Sequence, residues 1–170
     1  MKTYLNLVDG LCDAAGWLAA AMMALLFVLG LVEMALRSLA DISLSFAVEY
    51  SGYLLILSLF LGSGWTLRQG GHIRVSLLSE RLGPNARHGL DIMATLVGLA
   101  VAVFISFALL RFGWGTWTRG TLSYFSSATP LGYPQLLLAL GPTILVLAFS
   151  ARLIRLLRRE PGDLGQSAIE

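Results

Sequence analysis

Four runs of apolar residues, at about 14–36, 46–67, 90–112 and 133–157, decide what this chain can become. A helix of 22 to 25 residues, at ~1.5 Å rise per residue, reaches ~33 Å or more and so crosses a hydrocarbon core of ~30 Å. One such run would suit a helix buried in a soluble core. Four in succession leave too little polar sequence to cover them, because charged residues make up only 13% of the chain against about a quarter in soluble domains. The expected fold class is therefore an all-α integral membrane protein, a single domain of four transmembrane helices over residues 1–170.

The first run reads as a retained helix. It is too long for the apolar core of a signal peptide, Asp9 and Asp13 precede it, and no small-x-small cleavage pattern follows. Cys12 is the lone cysteine, which excludes an internal disulfide. Orientation follows from the basic residues. Lys2, Arg68, Arg74, Arg81, Arg87, Arg152, Arg155, Arg158 and Arg159 fall on one side of a four-helix topology, and only Arg37, Arg111 and Arg119 on the other. The positive-inside rule puts both termini in the cytoplasm. Aromatic belts agree, with Trp17 and Trp65 near one boundary and Trp114, Trp117, Tyr124 and Phe125 near the other.

Helices in lipid gain little from burying leucine against leucine, so small residues that permit close approach mark the contacts. Ala94, Gly98, Ala102 and Ser106 recur every four residues in the third helix, and Gly16, Ala20 and Ala24 do so in the first. These stripes serve either packing within the bundle or contact with another membrane protein. Ionised groups in hydrocarbon are costly and default to function. Glu33 and Glu49 both lie near the outer ends of their helices, Glu33 with Arg37 four residues on, and Asp91 opens the third helix where a carboxylate suits the macrodipole. No charge occupies the middle of any span.

Enzyme chemistry has no foothold, and no catalytic, cofactor-binding or metal-ligating residue is expected. His72 and His88 both fall in the loop after the second helix, away from any haem-ligating position, and no carboxylate and histidine cluster has metal-ligand spacing. "GSGW" at 62–65 suits close helix packing better than a phosphate loop or nucleophile elbow. The basic run Arg152 to Arg159 adjoins a spanning helix, so anionic lipid head groups, not nucleic acid, are its expected partner.

The one long polar interruption in the first half is "TLRQGGHIRVSLLSERLGP", residues 66–84. Gly70-Gly71 breaks the second helix. Ser76 then caps a short helix over about 76–82 that stops at Gly83-Pro84, with Val75, Leu78 and Leu82 on one face and Arg74 and Arg81 turned away. This predicts an interfacial amphipathic helix on the inner surface, followed at the far end of the chain by a cytoplasmic tail over 158–170.

Residues 46–87, "FAVEYSGYLLILSLFLGSGWTLRQGGHIRVSLLSERLGPNAR", resemble the signature region of the small, Q-type (DctQ-like) membrane subunit of tripartite ATP-independent periplasmic (TRAP) transporters. Glu49, the Phe60-Leu61-Gly62 run, Arg68, Gly71, His72, Ile73, Arg74 and Val75 stand at the family's positions, and "SSATPLGYPQLLLALGP" at 126–142 resembles its proline-marked entry into the last helix. Ser76 replaces a frequent acidic residue, and Tyr50 and Ser51 follow Glu49 where the family often has a second charged residue. The resemblance implies a subunit of the bacterial inner membrane. It implies a large (M-type) membrane subunit that carries substrate and sodium, a periplasmic binding protein that delivers an organic acid of the dicarboxylate or sialic acid type, and a bracing role for the small chain. Glu49, Arg68, His72, Arg74 and Arg81 are then the candidate structural or interface residues, and segment 113–132 a candidate contact for the binding protein. Two rivals stay open: the small subunit of a tripartite tricarboxylate transporter, and a proton-coupled small multidrug exporter.

Overall fold

The computed structural model describes residues 2–70, 83–160 and 162, and among them four helices: α1 Lys2–Ala40, α2 Ala47–Arg68, α3 Pro84–Arg119 and α4 Gly132–Leu157. All four are long and apolar enough to cross a membrane. α2 and α4 coincide with their apolar runs to within two residues. α1 and α3 outrun theirs, with 39 and 36 residues, or ~58 and ~54 Å. Lipid demands apolar side chains only over ~30 Å, and the helical backbone can run on beyond it; at the start of α1, Leu5, Val8 and Cys12 pack against the other helices.

The start of α3 corrects three expectations. Gly83 is extended and Pro84 occupies the first turn, where its missing N–H is no loss. Arg87 and His88 therefore stand on α3 instead of in a loop, and Asp91 lies seven residues in, past the first turn where a helix dipole acts. α3 ends at Gly120, in the left-handed region at φ 61°, whose N–H reaches back to the Thr116 and Trp117 carbonyls. α2 ends at Arg68, and Gly70 at φ 73° turns the chain away, as its sequence suggested. Gly71 and the expected interfacial helix at 76–82 lie outside the described residues, as does the tail from 163 onward.

The helices pack in the order α1, α2, α4, α3. α3 packs chiefly on α4, and α2 joins α1 to α4. α1 meets α4 at the end of the bundle where α1 begins and α4 finishes, here called the first end. There Leu5, Val8 and Cys12 of α1, Leu67 of α2 and Ala148 and Ala151 of α4 form the main buried cluster. The opposite, second end carries the α1–α2 turn and the 120–131 connection, which folds into a hairpin-like loop through Ser123 N–H to the Thr129 carbonyl (2.9 Å) and Leu131 N–H to the Thr121 carbonyl (3.0 Å).

The seams differ from the four-residue stripes read in the sequence. On α1 the inward positions are Leu5, Val8, Cys12, Ala15, Ala19, Met22, Leu26, Leu29, Glu33 and Leu36, alternating three and four residues, while Ala20 and Ala24 are exposed. On α3 they are Thr95, Gly98, Ala102, Ser106, Gly113 and Thr116, with Ala94 exposed. A step of four residues turns ~40° past a full circle, so a strict four-residue stripe drifts off any contact face; a 3.5-residue repeat holds it with modest supercoiling. Gly16, Gly98, Ala102 and Ser106 do serve packing inside this chain. A Cβ added at Gly16 would sit 2.9 Å from the Trp65 ring, and one at Gly98 would sit 2.6 Å from the Phe149 ring. Ser106 and Thr143 share a hydrogen bond of 2.9 Å between α3 and α4.

Among the described glycines, the tightest approach to another backbone is between α2 and α4. A Cβ on Gly141 would lie 2.6 Å from the Phe60 Cβ and 2.7 Å from its carbonyl carbon. Buried Pro142 follows inside the helix and leaves one α4 carbonyl without its usual N–H partner.

Candidate functional site

Ionisable groups of the helices gather into polar contacts at both ends of the bundle. At the first end α1 supplies Asp9 and Asp13, one turn apart on one face. α2 supplies Arg68 from its last turn, and α4 supplies Arg155. Arg155 Nη2 donates to Asp9 Oδ2 at 2.6 Å, and Arg68 Nη1 pairs with Asp13 Oδ1 at 2.9 Å. Arg68 also donates to the backbone carbonyl of Asp9, and its Nε faces Asp9 Oδ1 at 3.5 Å. The arginine side chains are only 10% and 6% exposed, so Asp9 is the counter-charge that lets both be buried together. Cys12 lies fully buried directly beneath them.

This arrangement revises the reading of the basic run at 152–159. Arg152 and Arg155 turn inward, and Arg158 and Arg159 remain exposed. Asp9 and Asp13 were missed as site residues. Two carboxylates four residues apart flanking Cys12, at the edge of an apolar helix, were the available signal, because such a pair needs cations from another helix.

At the second end two carboxylates fasten two connections. Glu33 accepts from Arg37 Nη2 (3.1 Å), the Ser43 hydroxyl (3.0 Å) and Leu44 N–H (2.8 Å), closing the α1–α2 turn. The i, i+4 pairing with Arg37 is the one its spacing suggested. Glu49, 3% exposed, accepts from the Tyr53 hydroxyl at 2.5 Å and from the Ser127 hydroxyl of the 120–131 loop. Ser123 and Thr129 add hydroxyls around it, and the Tyr50 and Thr129 hydroxyls lie 3.4 Å apart. Glu49 therefore belongs to a polar cluster after all. Its companions are Tyr53, one turn on along the same helix, and hydroxyls from a loop some 78 residues away.

Glu49 and Arg68 are 19 residues apart on one helix, ~29 Å, so these two candidates are not brought together. His72, Arg74 and Arg81 lie outside the described residues. Among the described residues no three His, Cys, Asp or Glu side chains converge as metal ligands. Segments 14–32, 50–67, 92–110 and 133–151, the middle of each span, contain no Asp, Glu, Lys, Arg or His.

Residues 26–159 match the family described as tripartite ATP-independent periplasmic transporters, DctQ component. The chain belongs to the DctQ family. It is also similar to the ectoine TRAP transporter small permease protein TeaB of Halomonas elongata, with 26% identity over 78% of this chain and 70% of that protein. DctQ membership decides against the two rival families and makes the chain a TRAP small permease subunit, multi-pass in the bacterial inner membrane. Membership in this family implies partnership with a large membrane subunit and a periplasmic binding protein.

Proposed function

We infer that this subunit braces a sodium-coupled TRAP transporter without itself holding substrate or cation, and that both its termini face the cytoplasm. The observation that carries this reading is where the charges stand. They stand toward the two ends, where Asp9, Asp13, Arg68, Arg155, Glu33, Arg37 and Glu49 fasten helices and loops, and the apolar mid-depth offers a passing solute no ionic ligand. The basic first end supports the cytoplasmic orientation through the positive-inside rule. Arg68 and Glu49 then act by holding the chain in shape. His72, Arg74 and Arg81 are proposed to seat the connector on the inner surface, and segment 113–132, the last turns of α3 with the loop that follows, to meet the binding protein. Substrate choice belongs to the other components. Organic acids of the dicarboxylate or sialic acid type fit the resemblance, and a relative named for ectoine indicates that the class is broad.

The test is uptake in proteoliposomes under an inward sodium gradient, with the chain alone, the large subunit alone and both together, each with the binding protein added. Uptake is expected only when the large subunit is present. Sodium-driven uptake by this chain alone would overturn the reading.

A further inference from the structure

The face of α3 turned away from α4 carries Arg111 and Arg119, two turns apart, and neither has an ion-pair partner among the described residues. The carboxylates of the second end do not serve them. Glu33 is held by Arg37, Ser43 and Leu44, Glu49 is held by Tyr53 and Ser127, and Asp41 lies in the α1–α2 turn, whereas α3 packs on α4. A guanidinium facing lipid without a partner must reach water or an anion at the interface.

Two details show what kind of anion fits. Gly115 lies midway between the arginines, and the Arg119 Nη2 stands 3.4 Å from where a Gly115 Cβ would be, so its guanidinium folds back along the helix toward Arg111. Trp114 of the same turn, with Trp117 and Tyr133 packed edge to face at 4.5 Å, sets the membrane interface at this level. Below Gly115 the same strip becomes a shallow apolar groove past Ala108 to Phe107 and Phe104, about 630 Å³ in all. Phe104 is eleven residues from Gly115, ~16 Å, which is one leaflet of a ~30 Å core. Helix contacts inside this protein use Gly, Ala and Ser, which let backbones approach. Here protruding Phe104, Phe107 and Trp114 hold a backbone off while leaving a slot for a flexible chain.

We propose that Arg111 and Arg119 form the headgroup site of an anionic phospholipid whose acyl chain lies along α3 from Gly115 to Phe104. This site is at the end opposite the basic run at 152–159 and is independent of it.

The test is native mass spectrometry of the full-length chain, and of its complex with the large subunit, in detergent with equimolar phosphatidylglycerol and phosphatidylcholine. The wild type is expected to retain phosphatidylglycerol selectively. Arg111→Gln with Arg119→Gln should lower that selectivity by about tenfold or more, since each basic residue near an anionic surface contributes measurably. Arg111→Lys with Arg119→Lys should keep much of it, and Arg37→Gln, which removes an already paired cation, should change nothing. Ala108→Trp should expel the lipid with both arginines intact, and inorganic phosphate should not compete. Equal retention of the two lipids by the wild type, or an unaltered preference in the Gln double variant with native helicity, overturns the proposal. So does a photo-crosslinker at Phe107 that labels the large subunit in place of lipid.

Discussion

Replacing Gly141 by alanine tests the α2–α4 contact more sharply than any charge change. The new Cβ would stand 2.6 to 2.8 Å from the Cβ, carbonyl carbon and carbonyl oxygen of Phe60. Carbon atoms sit comfortably at about 3.5–4.0 Å, so the two helices must part by roughly 1 Å where they cross. Two of the three atoms met are backbone, which cannot swing aside. A gap of that size forfeits about a quarter to a half of the local dispersion attraction, and overpacking in tight cores typically costs about 1–3 kcal/mol. At roughly 3 °C per kcal/mol for a chain of this length, Gly141→Ala should melt about 3–10 °C below wild type in a fixed detergent. Gly98→Ala should lose less, because the atoms 2.6 Å away belong to the Phe149 ring, which can rotate. Gly30→Ala, with nothing within 4 Å, should be neutral or slightly stabilising, since alanine favours helix by about 1 kcal/mol. If all three variants melt together, or Gly141→Ala melts at or above wild type, the close approach does not exist as described.

Asp9→Asn should destabilise by about 3–5 kcal/mol in denaturant titration, because Arg68 and Arg155 are left buried without their shared charge. Asp13→Asn should cost no more than about 1 kcal/mol, since Asp13 is 47% exposed. Glu49→Ala should leave the melting temperature nearly unchanged but speed amide exchange across 121–131 by about ten- to a hundredfold, the worth of hydrogen bonds to a charged acceptor. Unchanged exchange would show that the loop is held by its own hairpin bonds.

The spans were legible because hydropathy over twenty residues is a property of the chain itself. Their ends were not. Pro84 rather than Leu90 begins α3, because Gly83-Pro84, read as a stop, is instead the start of this helix, and Lys2 rather than Ala14 begins α1, because Leu5, Val8 and Cys12 pack against other helices before the apolar run starts. The same limit explains Glu49, whose depth was readable but whose partners Ser123, Ser127 and Thr129 arrive from a distant loop. Ala94, Ala20 and Ala24 lie off the seams within this chain for a simpler reason. Small residues every four positions wind around a helix, and the true seams are seen only when steps of three and four alternate. Glu33 with Arg37 was readable because both partners share one helix face.

Stacked as α1, α2, α4, α3, these helices resemble a plank more than a tube. A plank has two broad sides and no lumen, so each side can rest against a different neighbour while nothing is threaded through it. Its joints share the load: a push on α3 passes to α4 through the seam at Gly98, Ala102 and Ser106, and to α2 through the 120–131 loop that Glu49 holds.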